Sequence, residues 1–310
     1  MTIFSRLRRL IPTGRARPVR VVTDSTGDIP HETVDELGIT VVPLQVTFGE
    51  ASFRDGVDLT NEEFFRRLPD AADLPQTSQP SVGEFQQAYE KLLTQTDQIL
   101  SIHLSSHFSG TVATARQAAH ALADRGRIEV IDSDTVSMAM GLAVIAAANA
   151  ALEGADLPTC AEAARSVLRR ERIAIALDTL EYLRRGGRIG RAEAFLGGLL
   201  RVKPILTIRD GEAFPLTRVR TRPKALEELL RVCLEHGPPI EAAVMHATTP
   251  EDARSLVDEL VRRHPDVKVH TGRFGPVLGV HGGPGMIGLV VVLAEEEPAE
   301  QTASPDETQA

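Results

Sequence analysis

The stretch QILSIHLSSHFSGTVATARQAA, residues 98–119, indicates the fold class because a strand pattern gives way to a helix pattern within a few residues. Residues 99–104 are mostly apolar, as in a buried strand, and residues 110–123 carry small and apolar side chains at helical spacing. A strand followed directly by a helix predicts parallel pairing and an α/β fold. The junction carries four hydroxyl side chains, namely Ser105, Ser106, Ser109 and Thr111.

Strand and helix patterns alternate along most of the chain around this stretch. In the second half, two β-like runs are joined at Asp210-Gly211, a dipeptide typical of hairpin turns. A glycine-rich segment, RRGGRIG, leads into a predicted helix over residues 191–200. We predict an N-terminal domain on a parallel sheet, residues 18–160, and a C-terminal α/β domain with a β-hairpin, residues 161–294.

The two ends of the chain differ in composition from the rest. Residues 1–17 are basic and lack the apolar core of a signal peptide, which predicts a disordered leader. Phe4, Leu7 and Leu10 lie at helical spacing beside arginines, so the alternative is a short helix in weak contact with a membrane surface. Residues 295–310 are acidic and polar, which predicts a disordered tail.

The overall composition excludes some classes of protein. The 310 residues carry a formal net charge of -9, which argues against nucleic acid as a partner because phosphate binding needs a basic face. No apolar run approaches the roughly 18 residues of a membrane span. Cys160 and Cys233 lack metal-ligand spacing, so we expect two buried thiols, a reducing compartment and no metal site. These features predict a cytoplasmic protein, peripheral to the membrane only if the leader binds there.

The hydroxyl groups at the end of the predicted strand suit an anion. The N-terminus of a helix has free N–H groups and a partial positive charge, and Ser109 and Thr111 would add O–H donors. A second hydroxyl cluster, Thr77, Ser78 and Ser81, also precedes a helix pattern, and a glutamate three residues after Ser81 indicates a capping box. The alternative is that these side chains only cap helices, and the residues alone leave both interpretations open.

A third polar segment, VHGGPGMIG, residues 280–288, is predicted to form a loop that His281 opens. Its glycines have the spacing G-x-G-x-x-G, but Pro284 lies among them and a strand pattern follows, so a dinucleotide site is not predicted. RRGGRIG does not match the phosphate-binding loop of nucleotide-binding proteins, so no ATP site is predicted either. His281 is either a structural histidine or a ligand contact.

Taken together, the ordered motifs of this chain resemble the DegV family. The resemblance covers about residues 19–293, nearly all of the chain apart from its ends. The segments that carry it are VVTDSTGDIP, VVPLQVTFGEASFRDGVDLTNEEFFRRL, LPQTSQPSVGEF, LSIHLSSHFSGT, VIDSDTVSMAMG, DTLEYLRRGGRIG, KPILTIRDGEAFPLTRVRTRPKAL and HGGPGMIGL.

The resemblance implies a two-domain, DegV-like fold that binds one long-chain fatty acid between its domains. Members of this kind act as the fatty-acid-binding subunit of the bacterial fatty acid kinase. A separate ATP-binding subunit, with Mg²⁺, phosphorylates the bound carboxylate, and the acyl phosphate enters phospholipid synthesis. The resemblance therefore implies a binding subunit without catalytic residues or a cofactor of its own.

The resemblance also implies which residues meet the ligand. Thr77 of TSQPS, Ser109 of FSGT and His281 of HGGPG would contact the carboxylate, and Arg188 of GGRI would be the nearby basic residue. Secondary contacts to the head group or the partner would come from Ser78, Ser106, Gly110 and Thr111.

Three positions depart from the pattern that the family often shows. Val112 stands where an aromatic residue is common, and Phe108 stands where leucine is common. Gly282 replaces a common threonine, which removes a hydroxyl group close to the expected head-group site.

Two other functions are compatible with the same residues. One is a binding protein for another anionic amphiphile, without a kinase partner. The other is a serine hydrolase that uses Ser109 with His281, although the sequence lacks the G-x-S-x-G pattern of many such enzymes.

Overall fold

The computed structural model describes residues 18–196 and 202–295. The predicted leader and the predicted tail beyond residue 295 lie outside the described residues, as do residues 197–200 of the predicted helix 191–200. The strands are β1 (Arg20–Asp24), β2 (Thr40–Val42), β3 (Gln45–Phe48), β4 (Ala51–Arg54), β5 (Gln76–Ser78), β6 (Gln98–His103), β7 (Arg127–Asp132), β8 (Glu171–Ala176), β9 (Lys203–Arg209), β10 (Glu212–Val219), β11 (Pro239–His246), β12 (Lys268–Arg273) and β13 (Ile287–Leu293).

Helices follow most of these strands, and the predicted alternation is confirmed. The α-helices are α1 (His31–Leu37), α2 (Asn61–Arg67), α3 (Val82–Leu93), α4 (Thr111–Ala121), α5 (Ser137–Leu152), α6 (Leu157–Arg170), α7 (Glu181–Arg185), α8 (Arg222–Leu234), α9 (Pro250–Arg263) and α10 (Pro276–Gly282). A short 3-10 helix, Gly190–Phe195, occupies the described part of the predicted helix 191–200.

The first sheet is parallel, as predicted, with the order β2-β1-β6-β7. Its two central strands are almost fully buried because helices cover both faces, which explains their apolar composition. The quoted stretch supplies β6, the loop after it and α4. Because ligands bind beyond the carboxyl ends of parallel strands, this loop lies where a ligand site is expected.

The second sheet is mixed, with the order β10-β9-β8-β13-β11-β12. Only β11 and β12 pair in parallel, and the other neighbours are antiparallel. Strands β9 and β10 form the predicted hairpin, and its turn lies at Asp210 and Gly211. Both turn residues have left-handed backbone angles, φ 51° and φ 77°, as a tight type I′ turn requires.

A third, small antiparallel sheet has the order β4-β3-β5 and was not predicted. Its strands contain only three or four residues, too few to show a clear alternation of apolar and polar side chains. Thr77 lies in β5, where it pairs with Val46 of β3. This sheet therefore fixes the backbone of one predicted head-group residue.

The two larger sheets are connected through α5 and α6. Helix α5 is buried along almost its whole length, consistent with its alanine-rich, uniformly apolar sequence. The first sheet ends at Asp132 and the second begins at Glu171. The exact domain limits, 18–160 and 161–294, remain a prediction.

The helix cap at Ser81 and the burial of both cysteines agree with the predictions from the sequence. Ser81 accepts a hydrogen bond from the backbone N–H of Glu84, and the Glu84 carboxylate accepts one from the backbone N–H of Ser81, so the capping box is confirmed. Cys160 and Cys233 are both free and buried. Among the described helices, none combines the length and the apolar character that crossing a bilayer would demand.

The segment around His281 differs from the predicted loop. His281 lies in the last turn of α10, and the helix is capped by Gly283, whose φ of 76° is in the left-handed region. The prediction was wrong because the glycines around His281 suggested a loop, whereas the helix begins earlier, at Pro276, where proline is favourable.

Candidate functional site

A cavity of about 350 Å³ lies between the first and second sheets. Its size falls in the range of small-molecule sites, about 300–1,000 Å³. The wall is mostly apolar and combines residues from both halves of the chain, including Leu104, Phe108, Val136, Ile175, Leu206 and Phe274. One part of the wall is polar and contains Thr77, Ser78, Gln79, Ser109, Arg188 and His281. The cavity therefore suits a mostly apolar molecule that also carries a polar group.

Thr77 and His281 meet at the polar part of the cavity although 204 residues separate them. The Thr77 hydroxyl lies 3.0 Å from Nε2 of His281. Thr77 is held by the small antiparallel sheet and His281 by α10. The tertiary structure thus brings together two of the three residues to which the resemblance assigned the carboxylate.

The His281 imidazole is only partly satisfied by the protein. Its Nδ1 atom is buried and, among the described residues, has no hydrogen-bond partner. Burial, with a smaller effect of the Arg188 guanidinium, lowers the pKa of His281 to about 4. The imidazole is therefore neutral near pH 7. A bound carboxylate would offset the desolvation of a protonated imidazole.

Ser109 also lies in the cavity wall, at the start of α4. Its hydroxyl is 2.8 Å from the Thr111 hydroxyl, and the Thr111 backbone N–H points to the Ser109 Oγ at 3.4 Å. Thr111 is fully buried and is not part of the wall. We infer that Thr111 orients the Ser109 hydroxyl.

The remaining hydroxyl groups of the quoted stretch do not reach the cavity. Ser105 is buried and its hydroxyl donates to the carbonyl of Gly211 in the β9–β10 turn, at 2.8 Å. Ser106 is exposed, and its backbone N–H donates to Asp132. Gly110 precedes α4 and faces the side chain of Gln79. Of the four hydroxyl side chains, only that of Ser109 lies in the wall.

Arg188 connects the two halves of the chain beside the cavity. Its Nε donates to the carbonyl of Phe108 at 3.2 Å, and its Nη1 donates to the carbonyl of Gly186 at 2.9 Å. The residue is exposed and also lines the cavity. This basic group is thus available both to the cavity and to a molecule that approaches from solvent.

Sequence reasoning missed Gln79, whose side-chain amide adds donors and an acceptor to the polar part of the wall. The only signal was its place inside the TSQPS motif. Gly282 is also in the wall, and a Cβ built there would collide with the Met286 side chain. Position 282 therefore lacks a hydroxyl group, and the Met286 side chain fills the space that a side chain at this position would occupy.

The geometry does not support a serine hydrolase. Within residues 18–196 and 202–295, no carboxylate is hydrogen-bonded to His281, and the Ser109 hydroxyl is bonded to Thr111 instead of the imidazole. A triad needs both contacts. In the same part of the chain, no group of three or more His, Cys, Asp or Glu side chains is arranged to hold a metal ion.

Comparison with known proteins gives a consistent result. A family model described as "Uncharacterised protein, DegV family" matches residues 18–294. Protein DegV of Bacillus subtilis is 37% identical over 275 residues, which cover 87% of this chain and 98% of that protein.

Two solved structures show the same fold. A DegV family protein from Thermus thermophilus, described as fatty-acid binding, is 34% identical, with a TM-score of 0.84 over 89% of this chain and 100% of that one. DegV from Bacillus subtilis, described as a fatty acid binding protein, is 35% identical, with a TM-score of 0.81 over 90% and 100% of the two chains. From its motifs, its fold and these matches, the chain belongs to the DegV family.

Proposed function

We propose that this protein binds one long-chain fatty acid, with the acyl chain in the apolar cavity and the carboxylate at Thr77, Ser109 and His281. The observation that carries the proposal is the cavity itself, whose wall is mostly apolar and contains Thr77 and His281 in contact with each other. The relatives from Thermus thermophilus and Bacillus subtilis, which are described as fatty-acid binding, support the same ligand class.

The free energies of burial favour a long-chain fatty acid as the ligand. Each buried methylene contributes about 0.8 kcal/mol, so an acyl chain of well over a dozen methylenes supplies a gross gain on the order of 10 kcal/mol before entropy is lost. A carboxylate removed from water needs hydrogen-bond donors. Thr77, Ser78, Ser109 and His281 offer O–H and N–H groups for that purpose. The tail provides affinity, and the polar residues set the orientation.

The proposal extends to a kinase partner because of the family resemblance. A separate subunit would bring ATP and Mg²⁺, and a carboxylate oxygen of the fatty acid would attack the γ-phosphate, releasing ADP and forming an acyl phosphate. This chain would act by positioning the carboxylate, since phosphoryl transfer depends mainly on position and charge stabilisation. Arg188, exposed beside the cavity, is the residue we assign to contact with the partner or the transferred phosphate.

The ligand is tested by native mass spectrometry of the purified protein, followed by extraction and identification of what is released. We expect one fatty acid per chain, taken up again after delipidation. A protein that is empty and binds no added fatty acid would overturn the proposal, and a different extracted amphiphile would redefine the ligand.

The head-group site is tested with a matched pair of serines from one loop. Ser109→Ala removes a hydroxyl from the cavity wall, whereas Ser106→Ala removes one that is exposed outside it. We expect Ser109→Ala alone to weaken fatty acid binding, by about tenfold for a lost hydrogen bond to a charged group. Equal binding by both variants would remove Ser109 from the site.

The kinase role is tested separately, by measuring acyl phosphate in a mixture with an ATP-dependent fatty acid kinase subunit. We expect Arg188→Ala to bind fatty acid but to slow acyl phosphate formation. If the fatty-acid-loaded protein yields no acyl phosphate with any such subunit from its source, the protein is a carrier without this partner.

A further inference from the structure

The amino end of α10 lies against two carboxyl groups from the first part of the chain, and one of them is hydrogen-bonded to it. The backbone N–H of Gly275, the N-cap residue, donates to Oδ1 of Asp28 at 2.8 Å, across 247 residues of sequence. The carboxyl group of Asp55 lies beside the same residue, since a Cβ built on Gly275 would be 3.3 Å from its Oδ1. Because the last turn of α10 carries His281, this bond and contact link His281 to residues that do not touch the cavity.

Both carboxyl groups are fixed by their own surroundings. The Ser137 hydroxyl donates to Oδ2 of Asp28 at 2.6 Å. Asp28 and Ser137 both have left-handed backbone angles, φ 50° and φ 56°, which non-glycine residues adopt only when the fold compensates. Asp55 is 4% exposed. The two groups therefore form a rigid support.

The two carboxyl groups converge on one point. A Cβ built on Gly275 would lie 3.1 Å from Oδ1 of Asp28 and 3.3 and 3.5 Å from the two carboxyl oxygens of Asp55. In the described part of the chain, neither group has a cationic partner within 4 Å, and Oδ2 of Asp55 has no hydrogen-bond partner. The nearby charged or titratable groups are Asp24 with its partner His103, His31, and Arg273 with its partner Glu62.

This environment favours the protonated carboxyl groups. Burial raises the pKa of Asp28 to about 8 and that of Asp55 to about 7, and the charges of the neighbouring aspartates add to the effect. An unfolded aspartate releases its proton near pH 4, so the folded state holds more protons between about pH 4 and pH 8. The contribution of these groups to stability is therefore present at low pH and is lost as the pH rises through that range.

We propose that Asp28 and Asp55 are positioning residues: they hold the amino end of α10 and so set where His281 meets Thr77. The consequence for fatty acid binding rests on the function proposed above, but the position of His281 can be measured without any ligand. Once both carboxyl groups are ionised, their repulsion loosens the end of the helix and displaces the imidazole.

The test is the NMR signal of the His281 imidazole in ligand-free protein, assigned by its loss in His281→Gln. Because the pKa of His281 is about 4, its own titration does not move the signal between about pH 6 and pH 9. We expect the wild-type signal to shift over that range. A double variant, D28N with D55N, keeps an acceptor oxygen at each position but cannot ionise, so we expect no shift.

Asp28→Ala and Asp55→Ala should displace the His281 signal at every pH. Asp35→Asn, on the exposed face of α1, serves as the control and should leave the signal unchanged.

Fatty acid binding gives a second measurement. In wild type we expect the dissociation constant for a fatty acid to rise about fivefold between about pH 6.5 and pH 9, which is a typical coupling between sites. In the double variant we expect it to stay level.

A wild-type shift that persists in the double variant would overturn the proposal, and so would alanine variants whose His281 signal matches wild type. A protein that binds no fatty acid would instead contradict the proposed function, and the NMR result would still decide the role of the aspartates.

Discussion

Two histidines in different regions of the protein differ in how many of their ring nitrogens are hydrogen-bonded. His103, at the end of β6, is fully buried and satisfied on both ring nitrogens: Nδ1 lies 2.9 Å from Asp24, and Nε2 lies 2.7 Å from Ser101. His281, at the end of α10, has one partner, Thr77, and a buried Nδ1 without a partner among the described residues.

The difference indicates a structural role for His103 and supports the binding role proposed for His281. The group around His103 also includes the backbone N–H of Leu104, which donates to Asp24, so all of these polar atoms are used within the first sheet. A satisfied buried network stabilises one structure. An unsatisfied buried group destabilises the protein, and because His281 also lines the cavity, we expect it to serve the proposed ligand and not the fold. The four predictions below test this comparison.

The largest effect should come from breaking the satisfied network. His103→Ala leaves the buried Asp24 carboxylate without its imidazole partner, so we expect the free energy of unfolding to fall by about 3 kcal/mol. Urea denaturation measures it. A loss below about 1 kcal/mol, the value of an ordinary hydrogen bond, would mean that the network is not structurally important.

Removing His281 should weaken ligand binding more than it lowers stability. His281→Ala should weaken fatty acid binding by at least about tenfold, since a charged head group loses a contact, while stability changes by less than about 1 kcal/mol. Isothermal titration and urea denaturation measure the two quantities. His120→Ala, exposed on α4, is the control. Unchanged affinity in His281→Ala would place the carboxylate elsewhere.

A smaller effect should follow from moving the imidazole without removing it. Gly186 has φ −75°, which alanine adopts readily, but a Cβ there would collide with Nδ1 of His281. We expect Gly186→Ala to weaken fatty acid binding by about fivefold, with little change in secondary structure. Gly83→Ala, where a Cβ meets nothing closer than 3.9 Å, should bind like wild type. Equal affinity of the two variants would argue that the position of the ring is unimportant.

A last effect, seen only on acidification, is the pH dependence that His281 adds to stability. The pKa of the folded group is about 4 and its ordinary value is 6.5, so on acidification the unfolded chain takes up the proton first. Stability contributed by this group is therefore present above about pH 6.5 and is lost as the pH falls towards 4. Thermal unfolding of wild type and His281→Gln at both pH values measures the difference. If stability changes by the same amount between the two pH values in both proteins, His281 does not titrate as described.

Local patterns were enough to predict much of the fold. The strand and helix patterns of β6 and α4, the capping box at Ser81 and the hairpin at Asp210-Gly211 all depend on residues close together in sequence, and all are confirmed. The strands β4 and β5 were missed because they are too short to show a period. The helix that carries His281 was missed because glycine favours a loop when only local preferences are considered.

The candidate site was predictable only in part. Thr77, Ser109 and His281 were assigned through the family resemblance, whereas residue type and spacing alone did not distinguish Ser109 from Ser105, Ser106 and Thr111. Their side chains differ in the structure because Ser105 bonds to the hairpin turn, Ser106 faces solvent and Thr111 bonds to Ser109. Gln79 carried no signal beyond its place in a motif.

By itself, the sequence determined the family, the alternation of strands and helices, and the residue types available to hold a carboxylate. The tertiary structure decided which of these side chains share one cavity, that the imidazole is neutral, and that Asp28 and Asp55 support α10 from a distance. The physical reason is that hydrogen bonds between residues such as Thr77 and His281, or Asp28 and Gly275, join segments more than 200 residues apart. Burial, which sets the pKa of each group, likewise depends on all the segments packed around it.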